Sequence, residues 1–341
     1  MAIFVPATAK GDEINAHILK VKKTFAFAKA DEILIPSPDR TEAECPVFLK
    51  CGGCAFQHIT YDAEAKIKEN HVKECFHRIA GMSPEFEPII RAEKVYGYRN
   101  KAQFPVEIDG DEIKIGFYAN HSHRVVHCPG CALQPDEFGI ILSAFEKYIK
   151  DFAITSYNEE SGKGLLRHIY IRKGTKSGEI MVCPVINGNS LPGENELVSR
   201  LLEVCPAITC VSVNINKENT NVIMGKICRT LYGKGYIEDD LCGCTFRISA
   251  SSFYQINPVQ TDVLYSKAIE FAGLTGNENV IDAYCGIGTI GLVASKHAKT
   301  VIGCEINPDA ILDAKTNAKI NNADNVVFIC EDAGEFMLKM K

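Results

Sequence analysis

Two groups of residues in this chain have types and spacings that could do chemistry. The first is Asn279-Val280-Ile281-Asp282-Ala283-Tyr284-Cys285-Gly286-Ile287-Gly288-Thr289-Ile290-Gly291-Leu292. A short apolar run ends in an acid, a glycine turn follows, and a helix-like run extends from Thr289 to His297. That pattern is a strand feeding a phosphate- or nucleoside-sized turn at a helix N-terminus. Two later strand-like runs, Thr300 to Cys304 and Val326 to Cys330, end on Glu305 and near Asp332. Each strand therefore delivers a polar group at its C-terminal end, which is the crevice geometry of an open α/β sheet that binds a nucleoside cofactor.

Gly286, Gly288 and Gly291 satisfy the spacing of dinucleotide-binding turns, and the same glycines would serve a turn that only joins strand to helix. Asp282 separates the cofactors. A carboxylate before the turn repels a pyrophosphate and suits a cofactor with a cationic amino-acid end. S-adenosylmethionine is thus expected over NAD. The turn would hold the methionine moiety, Glu305 would accept from both ribose hydroxyls, and Asp332 would accept from an adenine amine.

The second group is Cys45-Pro46-Val47-Phe48-Leu49-Lys50-Cys51-Gly52-Gly53-Cys54. Three cysteines share one loop, and the glycine pair lets the backbone fold tightly enough for thiolates to converge. Three ligands do not close a tetrahedral site, so a fourth is expected from Val125-Val126-His127-Cys128-Pro129-Gly130-Cys131. Spacing alone leaves zinc and iron–sulfur open. His121, His123 and His127 lie beside that segment, as zinc ligands or as solvent-facing loop residues. His168, in Arg167-His168-Ile169, reads as a strand-face histidine before it reads as a catalytic one.

The elements that must position these residues follow from periodicity. Ile14 to Val21 and Phe25 to Ala28 alternate apolar and polar positions, with Lys10, Lys20, Lys22, Lys23 and Lys29 interspersed. They read as a small β-barrel fragment with a basic face, either merely solvated or turned to an RNA backbone. An amphipathic helix is predicted over 61–80, ended by Gly81. Strands over 98–106 and 113–118 join at Asp109-Gly110. Then come a helix over 134–150, an antiparallel pair over 164–172 and 178–184, a helix over 191–205, and strands over 209–215, 222–231 and 245–248. Ser249 to Pro258 is a polar-aromatic loop that could close Gln255 over a ligand. Asn257 is set to cap a helix that starts at Pro258 and stops at Gly273.

Composition bounds the class. The 341 residues suffice for two or three domains, and 46% hydrophobic with 23% charged residues is ordinary for a folded protein. No apolar run approaches membrane-spanning length, and the first residues lack a leader's basic and apolar regions, so a cytoplasmic chain with no membrane partner is expected. A net charge of −6 argues against a wholly basic nucleic-acid binder but permits a local basic patch. Fifteen cysteines there are no disulfide framework, and Cys210, Cys228 and Cys304 sit in apolar runs as core residues.

Taken in order, the cysteine loop, Phe253-Tyr254-Gln255-Ile256-Asn257-Pro258, and Asp282-Ala283-Tyr284-Cys285-Gly286-Ile287-Gly288 resemble the RNA 5-methyluridine (uracil-5-)-methyltransferases. The chain looks most like the iron–sulfur-containing bacterial branch acting on 23S ribosomal RNA. The resemblance implies an α/β plus α+β fold in three parts: a partial OB-like RNA-binding barrel of the TRAM type (1–40), a central α+β domain with the iron–sulfur loop (41–240), and an incomplete Rossmann-like methyltransferase domain (241–341). It implies a [4Fe–4S] cluster on Cys45, Cys51, Cys54 and Cys131, with Cys128 the alternative fourth ligand. It implies S-adenosylmethionine contacts from Gln255, Tyr284, Thr289, Glu305 and Asp332, an RNA partner, and a monomer. The family's nucleophilic cysteine and general-base glutamate belong to segments past the third strand, which are not met before Met340-Lys341. No catalytic residue is therefore assigned here, Cys285 included. The chain reads as a fragment at both ends, expected to be inactive alone and to bind the cofactor weakly or not at all. Two other classes stay open: a metal-containing RNA-binding module without catalysis, and an NAD oxidoreductase with a zinc lobe.

Overall fold

The computed structural model describes residues 1–339; residues 340 and 341, the end of the expected 241–341 segment, lie outside them. The chain divides into two compact units, Met1–Val95 with Phe117–Cys128, and Tyr96–Gly116 with Pro129–Lys341.

In the first unit, β2 (Glu13–Val21) pairs antiparallel with β3 (Phe25–Ile35), and β1 (Ala2–Phe4) runs parallel to β3 on its other edge. The alternating run continues seven residues past the predicted Ala28. Phe4, Phe25 and Phe27 pack ring against ring at 5.4–5.9 Å. Among the described residues this is a three-stranded sheet rather than a closed barrel. Arg40 holds its entry turn: Nε donates to Asp12 Oδ1 (2.8 Å) and Nη2 to Oδ2 (2.6 Å), which drives the Asp12 carboxyl far below its usual range. Helix α1 (Tyr61–Cys75) starts where Thr60 accepts from the Ala63 N–H at 3.3 Å, with Asp62 and Glu64 in its first turn. Beyond Cys75 the chain widens into a π-helical turn, Phe76–Ala80, and stops on the left-handed Gly81.

The second unit opens with the hairpin of β4 (Lys101–Asp109) and β5 (Glu112–Tyr118), whose last residues, like β6 (Val125–His127), belong to the first unit. Helix α2 (Asp136–Asp151) buries an apolar stripe from Phe138 to Ile149. Strands β7 (Leu166–Lys173) and β8 (Ile180–Ile186) are buried on both faces and pair antiparallel. Helix α3 (Glu194–Val204) makes the crossover to β9 (Ile208–Ile215), parallel to β8, and β10 (Ile227–Gly233) closes that edge. The resulting order is β10-β9-β8-β7-β4-β5. The last strand begins five residues later than periodicity predicts. Asn214 and Asn216 amides reach across to the Gly225 and Val222 carbonyls (2.9 and 2.7 Å), so residues 217–225 form a pinned loop instead.

A hairpin of β11 (Tyr236–Leu241) and β12 (Cys244–Ser249) follows. Its first strand was not predicted, because Glu238, Asp239 and Asp240 hide the alternation. Asn257 caps α4 (Pro258–Ala272) as expected, and Gly273 ends it. Then β13 (Asn279–Asp282), α5 (Thr289–Ser295), β14 (Thr300–Glu305), α6 (Pro308–Ile320), β15 (Val326–Cys330) and α7 (Ala333–Lys339) alternate. The three strands are parallel in the order β13-β14-β15. One apolar cluster joins Tyr170, Met181 and Phe246 to Tyr254, Cys285, Ile287 and Phe328, so the glycine turn rests on the same core as the preceding loop.

Candidate functional site

Strand β13 ends on Asp282, whose Oδ2 accepts from the Gly291 N–H in the first turn of α5 at 3.1 Å. The carboxyl is largely buried; desolvation raises its pKa, and the like charge of Glu305 adds to the rise. The turn that follows needs its glycines. Gly286 and Gly288 adopt φ of +54° and +82°, and a Cβ on Gly288 would sit 2.5 Å from Phe328 Cζ. Gly303 on β14 is bound by the same ring, its would-be Cβ 2.4 Å from Phe328 Cδ1. Phe328, which sequence reasoning passed over as one more strand residue, is therefore the floor under the turn.

Glu305 ends β14 beside this turn. Its Oε2 accepts from the Gly286 N–H (3.2 Å) and its Oε1 from the Asn307 N–H (3.0 Å). The Cys285 N–H donates to the Cys304 carbonyl at 3.0 Å, tying turn to strand. Thr289 Oγ1 lies 3.1 Å from the Tyr265 hydroxyl, so α4 braces the start of α5. Asn317 is fully buried: its Oδ1 accepts from the Arg247 N–H (2.8 Å) and its Nδ2 donates to the Ile287 carbonyl (3.1 Å). It clamps the middle of the glycine turn to β12. Only its polarity at a buried helical position could have marked it in the sequence.

Of the five expected cofactor contacts, Thr289 and Glu305 border the turn directly. Tyr284 stands out from it, 83% exposed. Asp332 follows β15, where the Glu331 N–H donates to the Glu305 carbonyl (3.1 Å), while its Oδ1 caps α7 through the Gly334 and Glu335 N–H groups (2.9 and 3.1 Å). Gln255 is held by its backbone, its carbonyl accepting from Asn100 Nδ2 at 2.9 Å. Cys285 is buried, and desolvation with Asp282 and Glu305 nearby pushes its thiol up to about 12. His168 is buried on β7, its pKa pushed down to about 4 by burial and then by Arg167, which fits a neutral strand residue. Two cavities, of about 550 Å³ beside Lys296 and His297 and about 720 Å³ beside Ile108 and Ile149, do not include the turn.

The cysteine loop lies in the first unit. Gln57 spans it, its Oε1 accepting from the Cys45 N–H (3.1 Å) and its Nε2 donating to Cys54 Sγ (3.3 Å). The Gly53 N–H donates to Cys51 Sγ at 3.3 Å. A Cβ on Gly52 would lie 3.3 Å from the Asn120 backbone, a tight approach. Among the described residues no group of three or more His, Cys, Asp or Glu side chains is gathered to hold a metal ion. Of the three loop histidines, His121 adopts φ of +54° and His127 is exposed, and His123 packs its ring 5.3 Å from Tyr118.

Comparison with known proteins places this geometry. Residues 243–341 match the TRM5/TYW2 methyltransferase domain. The chain is 44% identical over 341 residues to an RNA methyltransferase of Clostridium acetobutylicum, covering 99% of this chain and 74% of that protein. It is 42% identical over 337 residues to an RNA methyltransferase of Halalkalibacterium halodurans, covering 98% and 74%. Among solved structures, it resembles the tRNA (uracil-54, C5)-methyltransferase of Pyrococcus abyssi in complex with S-adenosyl-L-homocysteine. There the TM-score is 0.76 and the identity 26%, over 96% of this chain and 74% of that one.

Proposed function

The chain belongs to the family of RNA methyltransferases that these relatives represent, and on that premise we propose that it methylates C5 of a uridine in RNA, with S-adenosylmethionine as donor. The observation that carries this reading is the pair of strand-end carboxylates, Asp282 and Glu305, bracketing a glycine turn in which Gly288 has no room for a side chain. The donor set fits: a buried anion suits an ammonium end and a second carboxylate suits ribose hydroxyls, whereas a diphosphate would meet two negative charges. The sequence reading expected weak cofactor binding or none; because the turn, both carboxylates and the Thr289–Tyr265 brace are all formed, we propose instead that this chain binds the cofactor.

When bound, the cofactor supplies an electrophilic methyl group on a sulfonium. The residues of the chain would position it, and no nucleophile or base is assigned among them. Asp282 would hold the amino-acid end, Glu305 the ribose and Asp332 the adenine, with Thr289 and Tyr284 at the turn and Gln255 over the crevice. Uracil C5 is a poor nucleophile, and a cysteine thiolate adding at C6 activates it; a base then takes the C5 proton and the cysteine leaves. The target uridine must leave its stack to be reached. Cys285 does not suit that thiolate, since burial and neighbouring carboxylates keep it protonated. The lysine-bearing 1–40 segment would add contacts to the RNA backbone.

Our sequence reading favours 23S ribosomal RNA as substrate. Transfer RNA is the second reading, favoured by the likeness to the Pyrococcus abyssi enzyme. The test is methyl transfer from tritiated cofactor to unmodified 23S and transfer RNA transcripts, with the nucleosides identified by mass spectrometry. No nucleophile is assigned in this chain, so no turnover is expected from it by itself; from a protein that carries this chain together with a nucleophilic cysteine we expect 5-methyluridine in the ribosomal RNA, and label in transfer RNA alone would select the second reading. Binding of NADH in place of the cofactor, or a product other than 5-methyluridine, would overturn the proposal.

The sulfur loop is a separate proposal. Two N–H donors on Cys51 and Cys54 sulfur suit thiolates in a [4Fe–4S] site with Cys45 and either Cys131 or Cys128. The described residues do not gather that set, and no step of the reaction is routed through it. Iron and acid-labile sulfide in anaerobically purified protein are the expected result. Zinc alone, or no metal, would overturn it.

A further inference from the structure

One face of the large sheet carries charges that the methyl-transfer reading does not use. Lys101 on β4 and Arg172 on β7 are direct partners in the antiparallel register. Facing residues of such a pair point to the same side, and like charges set opposite each other are normally destabilising. Arg99, two residues before Lys101, adds a third cation. Arg172 is 1% exposed; its Nη1 donates to the Ser252 carbonyl (2.9 Å) and at longer range to the Ser249 carbonyl (3.4 Å), and its Nε is buried without a partner. The Arg99 Nε is buried without a partner as well.

Among the described residues, no acid is among the groups that bear directly on Lys101 or Arg172. The charged groups that bear on Lys101 are Arg172 and Arg99, both cations; burial first and these two next push its pKa down to about 8. Around Arg172 stand Tyr170 and Tyr254. Asp239, which bears on Tyr254, is engaged by the Lys176 and Ser177 N–H groups (2.8 and 3.3 Å). Three crowded cations without a carboxylate are costly to bury unless an anion joins them.

Their position says which anion. Asn100, between Arg99 and Lys101, donates from its backbone to the Ile256 carbonyl (3.0 Å) and from Nδ2 to the Gln255 carbonyl (2.9 Å). Arg172 holds the other end of the same loop at Ser249 and Ser252. Arg172, and the Asn100 that stands between Arg99 and Lys101, are thus hydrogen-bonded to the loop that carries Gln255. We propose that Arg99 and Lys101, which are partly exposed, grip one backbone phosphodiester of the RNA strand entering beside Gln255, with the buried charge of Arg172 behind them. This rests on the RNA methyltransferase reading and adds to it a local basic site on an acidic chain.

The test is binding of unmodified 23S and transfer RNA transcripts against salt and pH, for the wild type, Lys101→Gln, Lys101→Arg and Arg99→Gln, with a cofactor titration beside each. Lys101→Gln and Arg99→Gln are each expected to weaken binding roughly three- to tenfold at low salt, alike for both RNAs, and to reduce the log–log salt slope by about one. Lys101→Arg restores the affinity, and cofactor affinity stays at the wild-type value in all three. Wild-type affinity falls from pH 7 to 9 as Lys101 gives up its proton, and that fall is absent in Lys101→Arg. Folded glutamine variants with wild-type affinity and slope would overturn the phosphate site and leave the RNA reading standing. A wild type that binds neither RNA would overturn both.

Discussion

Replacing Gly288 by alanine is the sharpest perturbation of the glycine turn. Two effects add. The residue sits at φ +82°, where an L side chain costs about 1–2 kcal/mol. Its new Cβ would lie 2.5 Å from Phe328 Cζ, with two more atoms of the same ring within 3.3 Å, and overpacking of that kind costs about 1–3 kcal/mol. The sum is a loss of about 2–5 kcal/mol. All three obstructing atoms belong to a ring that leucine lacks. Phe328→Leu should therefore relieve the second effect and leave the first. A double-mutant cycle by urea unfolding should show a favourable coupling of about 1–3 kcal/mol, with about 1–2 kcal/mol of backbone strain persisting in the double variant. Additivity within about 0.5 kcal/mol would refute the reasoning, because it would mean that Phe328 is not what excludes a side chain there.

Three further outcomes follow from the same site. Burial holds the Asp282 carboxyl above its usual range, so stability falls as the pH rises from the ordinary carboxylate range to that raised value and stays lower above it, and Asp282→Asn should be at least as stable as wild type near neutrality in a urea melt. The same variant should bind the cofactor roughly tenfold or more weakly by calorimetry, and wild-type affinity should fall on acidification while ordinary carboxylates are still ionised; equal affinity in the variant would refute the charge argument. Asn317→Leu leaves the Ile287 carbonyl and the Arg247 N–H without partners and should cost about 2–4 kcal/mol in the same melt; an unchanged midpoint would show that the clamp is not formed. In native protein at pH 8, iodoacetamide should label the exposed Cys330 while sparing the buried Cys285, whose thiol is pushed up to about 12; early labelling of Cys285 by mass spectrometry would reopen it as a nucleophile.

Much of the methyltransferase half was legible because its signals are local. Asn257-Pro258 opened α4 and Gly273 closed it, where cap chemistry predicts both ends. Gly286 and Gly288 took the left-handed conformations their turn demands. The runs over 164–172 and 178–184 read as an antiparallel pair, and β7 and β8 pair so. The misses share another cause. The strand predicted from Val222 starts only at Ile227 because Asn214 of β9 and Asn216 just past it pin the intervening loop, a contact periodicity does not contain. Strand β11 escaped because Glu238, Asp239 and Asp240 lower its apolar signal, although Asp239 is itself buried. The stretch expected as a barrel fragment is a three-stranded sheet in the described residues, and alternation could not name the parallel place of β1 beside β3.

The sequence by itself determined the acid before the turn and the acid at the end of the next strand, and hence the charge of the ligand proposed for the crevice. These are properties of residue type at a fixed offset from a strand end, and they survive any packing. Only the tertiary structure decided that Phe328 and Asn317 shape the turn, that Cys285 is sealed against reaction, and that Lys101 faces Arg172 across a strand pair. Those facts depend on which strands become neighbours and how deeply each group is buried, and both are set by long-range packing that no stretch of chain encodes alone.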